Sequence, residues 1–434
     1  MRRIAFLAAL TCATIMASNS FAQWGAGTIP LVRPPLSDQI EFYYPHRHFY
    51  PRGLFAHDVL FRHPLPFDCA RDPRHLEEVV RRLHDYDALE LHGSGPACTL
   101  IGPLVIDHPV RLIGFGREDR ANIVAAPGGP CIDVLPGAEL VMEHIRIFSY
   151  DNGPKQDCIR ATDGVLTLLD VDVSSPGATL HMRGGKVELR NADMAGGGDG
   201  ADLVLEGAEF VIADSHIRAI GDALDIRAPD RGVVAIANTH LTTRGRDNIG
   251  LTLRSPRDER SALVTLDRVS IKEFATGIAA APHARAVASQ ILVFGSYDTG
   301  INLEGAGFTL LQSVVLHGRI GVHMHGYGAA DIAAGEPRIE GNRIARVQEA
   351  GVVVDVGTPG AVRDNRISAR HSRCIVGDGV RGDIRESLNY CTDERGERGF
   401  LAGVGPWFVD LFHGNNHLID PWLYSDVVRT PDDK

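Results

Sequence analysis

His323 and His325 are separated by one residue, and Tyr327 follows at the same interval. In an extended strand, alternate side chains share a face, so two imidazoles and a phenol would project together. Asn302, Glu304 and Asp355 lie in similar segments on either side. A carboxylate beside an imidazole orients the ring, which is how a general base is prepared. The step such a base could perform is removal of the proton α to a uronate carboxylate, which opens both β-elimination and C5 epimerisation. In this scheme His323 or His325 is the base and Tyr327 the acid. Two histidines at strand spacing also resemble part of a transition-metal site, with Asp355 or Glu304 as a further ligand. An inert exposed pair is equally compatible with the spacing, and no metal is assigned.

A second group is cationic and mixed: Arg160, His181, Arg183, Asp225, Arg227 and Arg254. Guanidinium groups make bidentate contacts with carboxylates, so a row of them could hold an acidic polysaccharide such as a uronate polymer. Arg254 or Arg227 would then neutralise the carboxylate of the reacting sugar. The same residues would also make an ordinary solvated sheet face, where alternating charges stabilise modestly.

These residues can act together only if the fold stacks them, and a recurring phrase supplies the means. Cys131-Ile-Asp-Val, Cys158-Ile-Arg-Ala, Ala223-Leu-Asp-Ile, Gly300-Ile-Asn-Leu and Gly321-Val-His-Met are five of eleven copies. Their register-setting aliphatics run from Ile132 to Ile375 in steps of 21 to 30 residues. Such a period is the signature of a solenoid. Between copies lies a second apolar phrase, such as Leu166-Thr-Leu or Phe210-Val-Ile. Many of these are closed by a polar corner: Asn191, Asp214, Asn238, Asn342 or Asn365. Asn, Asp and Gly suit the positive φ of a tight bend. Each repeat therefore carries at least two short strands, apolar inward and polar outward. The outward residues form two vertical strips. One contains His181, Asp225, Asn302 and His323; the other contains Arg183, Arg227, Arg254, Glu304, His325 and Asp355.

Residues from Asp68 to Tyr390 resemble the right-handed parallel β-helix, pectate-lyase-like superfamily. The expected fold is all-β, a right-handed parallel β-helix solenoid of about 11–12 coils. The segment from Pro73 to His84 reads as an amphipathic helix with Asp72 as N-cap, similar to the helix that opens many such proteins. Motifs of particular members are lacking: no Asp-Pro-His-Asp element of alginate C5-epimerases, and no polygalacturonase set. The outward strips supply no clustered aspartates for a Ca2+ site, so no cofactor is expected and nothing calls for a divalent cation.

The chain of 434 residues carries 44 basic and 55 acidic side chains, a net charge of −11. That argues against nucleic-acid binding through an overall positive field. Residues 1–22 read as an export signal: Arg2 and Arg3, an apolar run from Ile4 to Ala17, and Ser20-Phe-Ala22 as cleavage site. No later run reaches the length of a membrane span. Residues 23–67 are expected as an N-terminal extension, 68–391 as the β-helix, and 392–434 as an aromatic-rich cap containing Trp407 and Trp422. The expected location is periplasmic or secreted, with the protein a monomer. Six cysteines then remain in a compartment that permits disulfides. The expected pairs are Cys69–Cys98, Cys131–Cys158 and Cys374–Cys391.

The function expected is that of an exported protein that binds or modifies an acidic polysaccharide, with lyase or C5-epimerase chemistry on the sheet face. The alternative is a non-catalytic glycan-binding, export-assisting or structural and adhesive protein of the cell envelope.

Overall fold

The computed structural model describes residues 61–393 apart from 93–96, 116–119, 126–127, 150–155, 199, 244, 246, 256–260, 326–335, 356, 359, 370–372 and 378–383. Within that range the backbone winds as a parallel β-solenoid of about 12 turns. One full turn shows the pattern. Strand Asp222–Arg227 is followed by Val234–Ala237 and His240–Thr243, and then Ile249–Arg254 returns beside the first. Each strand pairs in parallel with its counterpart one turn away: Leu224 with Leu251, Ile236 with Leu266, Leu241 with Ile271. Three strand columns result. One is a 14-stranded sheet running from Leu65–Asp68 to Ile384–Ser387; the other two join into a 23-stranded sheet. They join because two strands of 12 residues, Val314–His325 and Arg343–Val354, pass from one column to the next unbroken.

The register-setting aliphatics are the inner ladder of the first column. Ile132, Ile159, Leu180, Leu203, Leu224, Leu251, Ile278, Ile301, Val322 and Val352 are each 0% exposed. Successive members are direct register partners, and Ile375 closes the series. Burying each such side chain contributes about 1.5–3 kcal/mol, and a slip of one residue would turn the whole set outward. That is why so short a phrase fixes the winding.

The corner after the 14-stranded sheet is one residue wide in left-handed conformation, at Asp170, Asn191, Asp214 and Asn238 among others. Asn342 and Asn365 differ from expectation. Gly341 and Asp364 take the positive φ there, and the two asparagines are buried one residue later. Asn342 donates to the Leu310 carbonyl at 3.0 Å and to Asn365 Oδ1 at 3.0 Å. Asn365 in turn donates to Ile339 O at 2.7 Å and Asn389 Oδ1 at 3.1 Å. They form an internal amide ladder that satisfies backbone carbonyls the turn leaves over.

The helix, α1, spans Leu76–Arg82 and buries Leu76 and Val80 in the core. It begins later than the sequence suggests, with His75 at the cap position and no side-chain cap. The Pro73 carbonyl is the reason: it accepts the Thr99 N–H at 2.7 Å, so it is taken by a strand rather than by a helical turn.

Two disulfides form. Cys69–Cys98 and Cys131–Cys158 have Cα separations of 4.9 and 4.7 Å. The third expected bridge does not: Cys374 and Cys391 remain thiols. Cys131 and Cys158 precede register partners on one column. Cys391 instead stacks on Ile367 in a different column, whereas Cys374 precedes Ile375, the partner of Val352. The two cysteines close the same turn in sequence but face different neighbours. The expected leader, most of the expected N-terminal extension and the aromatic-rich segment expected as a cap lie outside the described residues, and no helix among those described is long and apolar enough to cross a membrane.

Candidate active site on the first strand column

Three consecutive turns of the first column carry the histidine cluster. Asn302 is the register partner of His323, and Glu304 of His325; Val353 follows beneath His323. Asp355 comes just after that last strand, its N–H bound to Met324 O at 2.9 Å. Inward-facing Val322 and Met324 alternate with the two histidines and are fully buried, so packing fixes the strand that projects them.

The side chains form one connected chain. Asp355 Oδ1 lies 3.1 Å from His323 Nε2, and Oδ2 lies 3.0 Å from His325 Nδ1. His325 Nε2 lies 2.8 Å from Asn302 Oδ1, and Asn302 Nδ2 donates to Glu304 Oε1 at 3.3 Å. Because Glu304 takes the amide N–H, the Asn302 oxygen faces His325. Both nitrogens of His325 then face oxygen atoms, one of Asp355 and one of Asn302. His323 meets the carboxylate through Nε2, so that in the neutral ring donating there Nδ1 carries the lone pair. The two rings stack with centroids 3.8 Å apart. Burial works against ionisation of Asp355, but the hydrogen bond and charge of His323, with those of His325, outweigh it and hold the carboxyl below its ordinary range.

This arrangement can do two mutually exclusive things. The donor atoms of His323, His325 and Asp355 lie within 4.8 Å of one another, close enough to hold one transition-metal ion. An ion there would take the imidazole lone pair that proton abstraction requires. Without one, the group is a carboxylate-oriented imidazole beside a second imidazole on the same carboxylate.

The arginine group is differently disposed from what its residue types suggest. Its members do share one face: Arg160 partners His181, Arg183 partners Glu206, and Glu206 partners Arg227, which partners Arg254. Most of its charge is already matched. Arg160 binds Asp133 at 2.7 Å, Arg183 binds Glu206 at 3.1 Å, and Arg254 binds Asp225 at 3.1 Å. His181 Nδ1 lies 2.8 Å from Asp157, a turn residue outside both strips. Burial pushes the Asp225 carboxyl up, against the pull of Arg254 and Arg227. Among the described residues only Arg227 of these arginines forms no ion pair. The strip is an alternating ladder rather than a positive groove. Arg254 is three turns from His323 and held toward Asp225, so the structure does not bring it to the imidazoles. Between the two groups lies Ala279, the register partner of Asn302. Tyr327 lies outside the described residues.

No protein-family model matches the chain, and no curated protein does. Solved structures do. The A-module of the mannuronan C-5 epimerase AlgE4 from Azotobacter vinelandii is 14% identical, covering 78% of this chain and 98% of that one, with a TM-score of 0.47. The AlgE6 A-module of the same organism is 12% identical over 76% and 96%, also at 0.47. A mannuronic acid specific polysaccharide family 6 lyase from human gut microbiota is 11% identical over 78% and 89%, at 0.41. The winding of this chain rests on its own ladders, and the chemistry on its own side chains.

Proposed function

We propose that the protein acts on an acidic polysaccharide, abstracting the C5 proton of a uronate residue at the His323–His325 face. The observation that carries this reading is the unbroken hydrogen-bond chain Asp355–His325–Asn302, with His323 held by the same carboxylate. Asp355 orients His323 through Nε2, and Nδ1 accepts the C5 proton. His325 stands beside it and, when protonated, would offset the charge of the sugar carboxylate, the role that Arg254, engaged by Asp225, does not reach. In β-elimination the freed electron pair forms the C4–C5 double bond as the C4–O bond breaks, and the departing oxygen takes a proton, for which Tyr327 is the candidate acid. In epimerisation the same carbanion is reprotonated on its opposite face. An oxidising compartment, periplasmic or external, suits the two disulfides.

Both reactions remove the C5 hydrogen, elimination without replacing it and epimerisation with replacement from solvent, so a single incubation tests them together. Alginate, pectate and glycosaminoglycan are incubated with the full chain in D2O near pH 7. Unsaturated uronate is followed by absorbance and C5 deuterium by NMR. Product or deuterium is expected with one polymer, reduced at least about 10²-fold by His323→Ala. Absence of both with every polymer refutes the reading.

A further inference from the structure

The carboxylate and the two imidazoles of the histidine face converge as metal ligands do. His323 and His325 project from one strand, Val314–His325, and Asp355 follows the strand of the next turn, Arg343–Val354. One donor atom from each residue lies within 4.8 Å of the other two. Asp355 Oδ1 is 3.1 Å from His323 Nε2, and Oδ2 is 3.0 Å from His325 Nδ1. Two ligands held ~2.0–2.1 Å from one tetrahedral ion stand roughly 3.3 Å apart, so these separations need only a small adjustment. The backbone of the carboxylate is pinned, since the Asp355 N–H binds Met324 O at 2.9 Å.

The hydrogen bonds behind the ligands fit the same arrangement. His325 Nε2 lies 2.8 Å from Asn302 Oδ1, and Asn302 Nδ2 donates to Glu304 Oε1 at 3.3 Å. A metal-ligating imidazole ordinarily gives its other N–H to such an acceptor. A neutral His325 ring has one proton for its two oxygen neighbours. With that proton on Nε2, Nδ1 meets the Asp355 carboxylate lone pair to lone pair, a contact that a cation between them resolves. A proton serves there, and so does a metal ion. None of the three side chains is fully buried, so an ion can enter from solvent and water can fill its remaining positions. Two imidazole nitrogens and one carboxylate oxygen suit Zn2+ and its transition-metal neighbours, whereas Ca2+ and Mg2+ take oxygen ligands.

We propose that His323, His325 and Asp355 bind a single divalent transition-metal ion of the Zn2+ class, and that the metal-bound form is an inactive state of this face. The binding half rests on these side chains alone; the inhibitory half rests on the function proposed above. Coordination through His323 Nε2 leaves the one proton of the ring on Nδ1, the atom that would otherwise accept the C5 proton. The ion therefore disables the base without contacting the sugar.

ZnCl2, CoCl2 and CaCl2 are titrated into the full chain, followed by calorimetry and, for Co2+, by visible absorption. The chain holds 19 histidines, so the site is read as the difference between the parent and His325→Ala, Asp355→Asn or Asn302→Ala. Zn2+ affinity is expected to fall at least about tenfold in all three variants. Asn302→Ala leaves every ligand in place, so it reads the support of His325 and keeps the test valid should a ligand variant fail to fold. Unchanged Zn2+ affinity in the folded variants overturns the site, as does a parent with no saturable Co2+ band. Ca2+ binding as tight as Zn2+ binding, and lost in the same variants, overturns the choice of a transition metal. Zinc bound here with C5 proton removal unimpaired overturns the inhibitory half. A parent that binds zinc here yet never removes the C5 proton, with or without chelator, refutes the function proposed above and leaves the metal site standing.

Discussion

Asp202 offers a measurement of how this solenoid tolerates a carboxyl group in its wall. It occupies the position just before the inner aliphatic Leu203, is 0% exposed, and sits one turn beyond Thr179. Thr179 Oγ1 donates to Asp202 Oδ1 at 2.6 Å and the Thr179 N–H does so at 3.2 Å, while Oδ2 is buried without a partner. Burial pushes this carboxyl from 3.8 up to about 7, more than the Thr179 bonds can offset. Folded, the group keeps its proton to near neutrality; unfolded, it releases it near 3.8. The stability it contributes is whole below pH 3.8 and declines as pH rises to about 7. That gap corresponds to roughly 4 kcal/mol. Asp202→Asn cannot ionise, so the variant is expected to match the parent near pH 4 and to exceed it by up to roughly 4 kcal/mol at pH 8. Denaturant midpoints at the two pH values read this directly. Thr179→Val removes the hydroxyl donor that favours the charged form and leaves the backbone N–H, and should destabilise more at pH 8 than at pH 4. Parallel behaviour of Asp202→Asn and parent across pH would refute the argument, as would an Asn variant weaker at pH 8.

Other outcomes follow from the same geometry. Replacing Cys131 and Cys158 by alanine opens a 27-residue span and should lower stability by about 3 kcal/mol, read by unfolding with and without reductant. Asn365→Ala strips donors from the Ile339 carbonyl and the Asn389 amide inside the wall; a loss of about 2–3 kcal/mol is expected, and a change under 0.5 kcal/mol would mean water replaces the amide. Low concentrations of Zn2+ should inhibit C5 exchange by capturing His323, His325 and Asp355, with recovery on adding chelator. Activation by Zn2+ would instead make these donors catalytic ligands and remove His323 as the base.

The winding was legible because it depends on one buried side chain per turn. Ile278 and Ile301 must face inward whatever surrounds them, and the residues that follow, Ala279 and Asn302, must then face outward together. Ionic partners obey no such rule. Asp157 reaches His181 from a turn, and Arg254 leans to Asp225 rather than toward the histidines, because long side chains choose among acids on several neighbouring turns. Cys374 and Cys391 were misleading for a related reason: nearness in sequence says nothing about which column a residue joins.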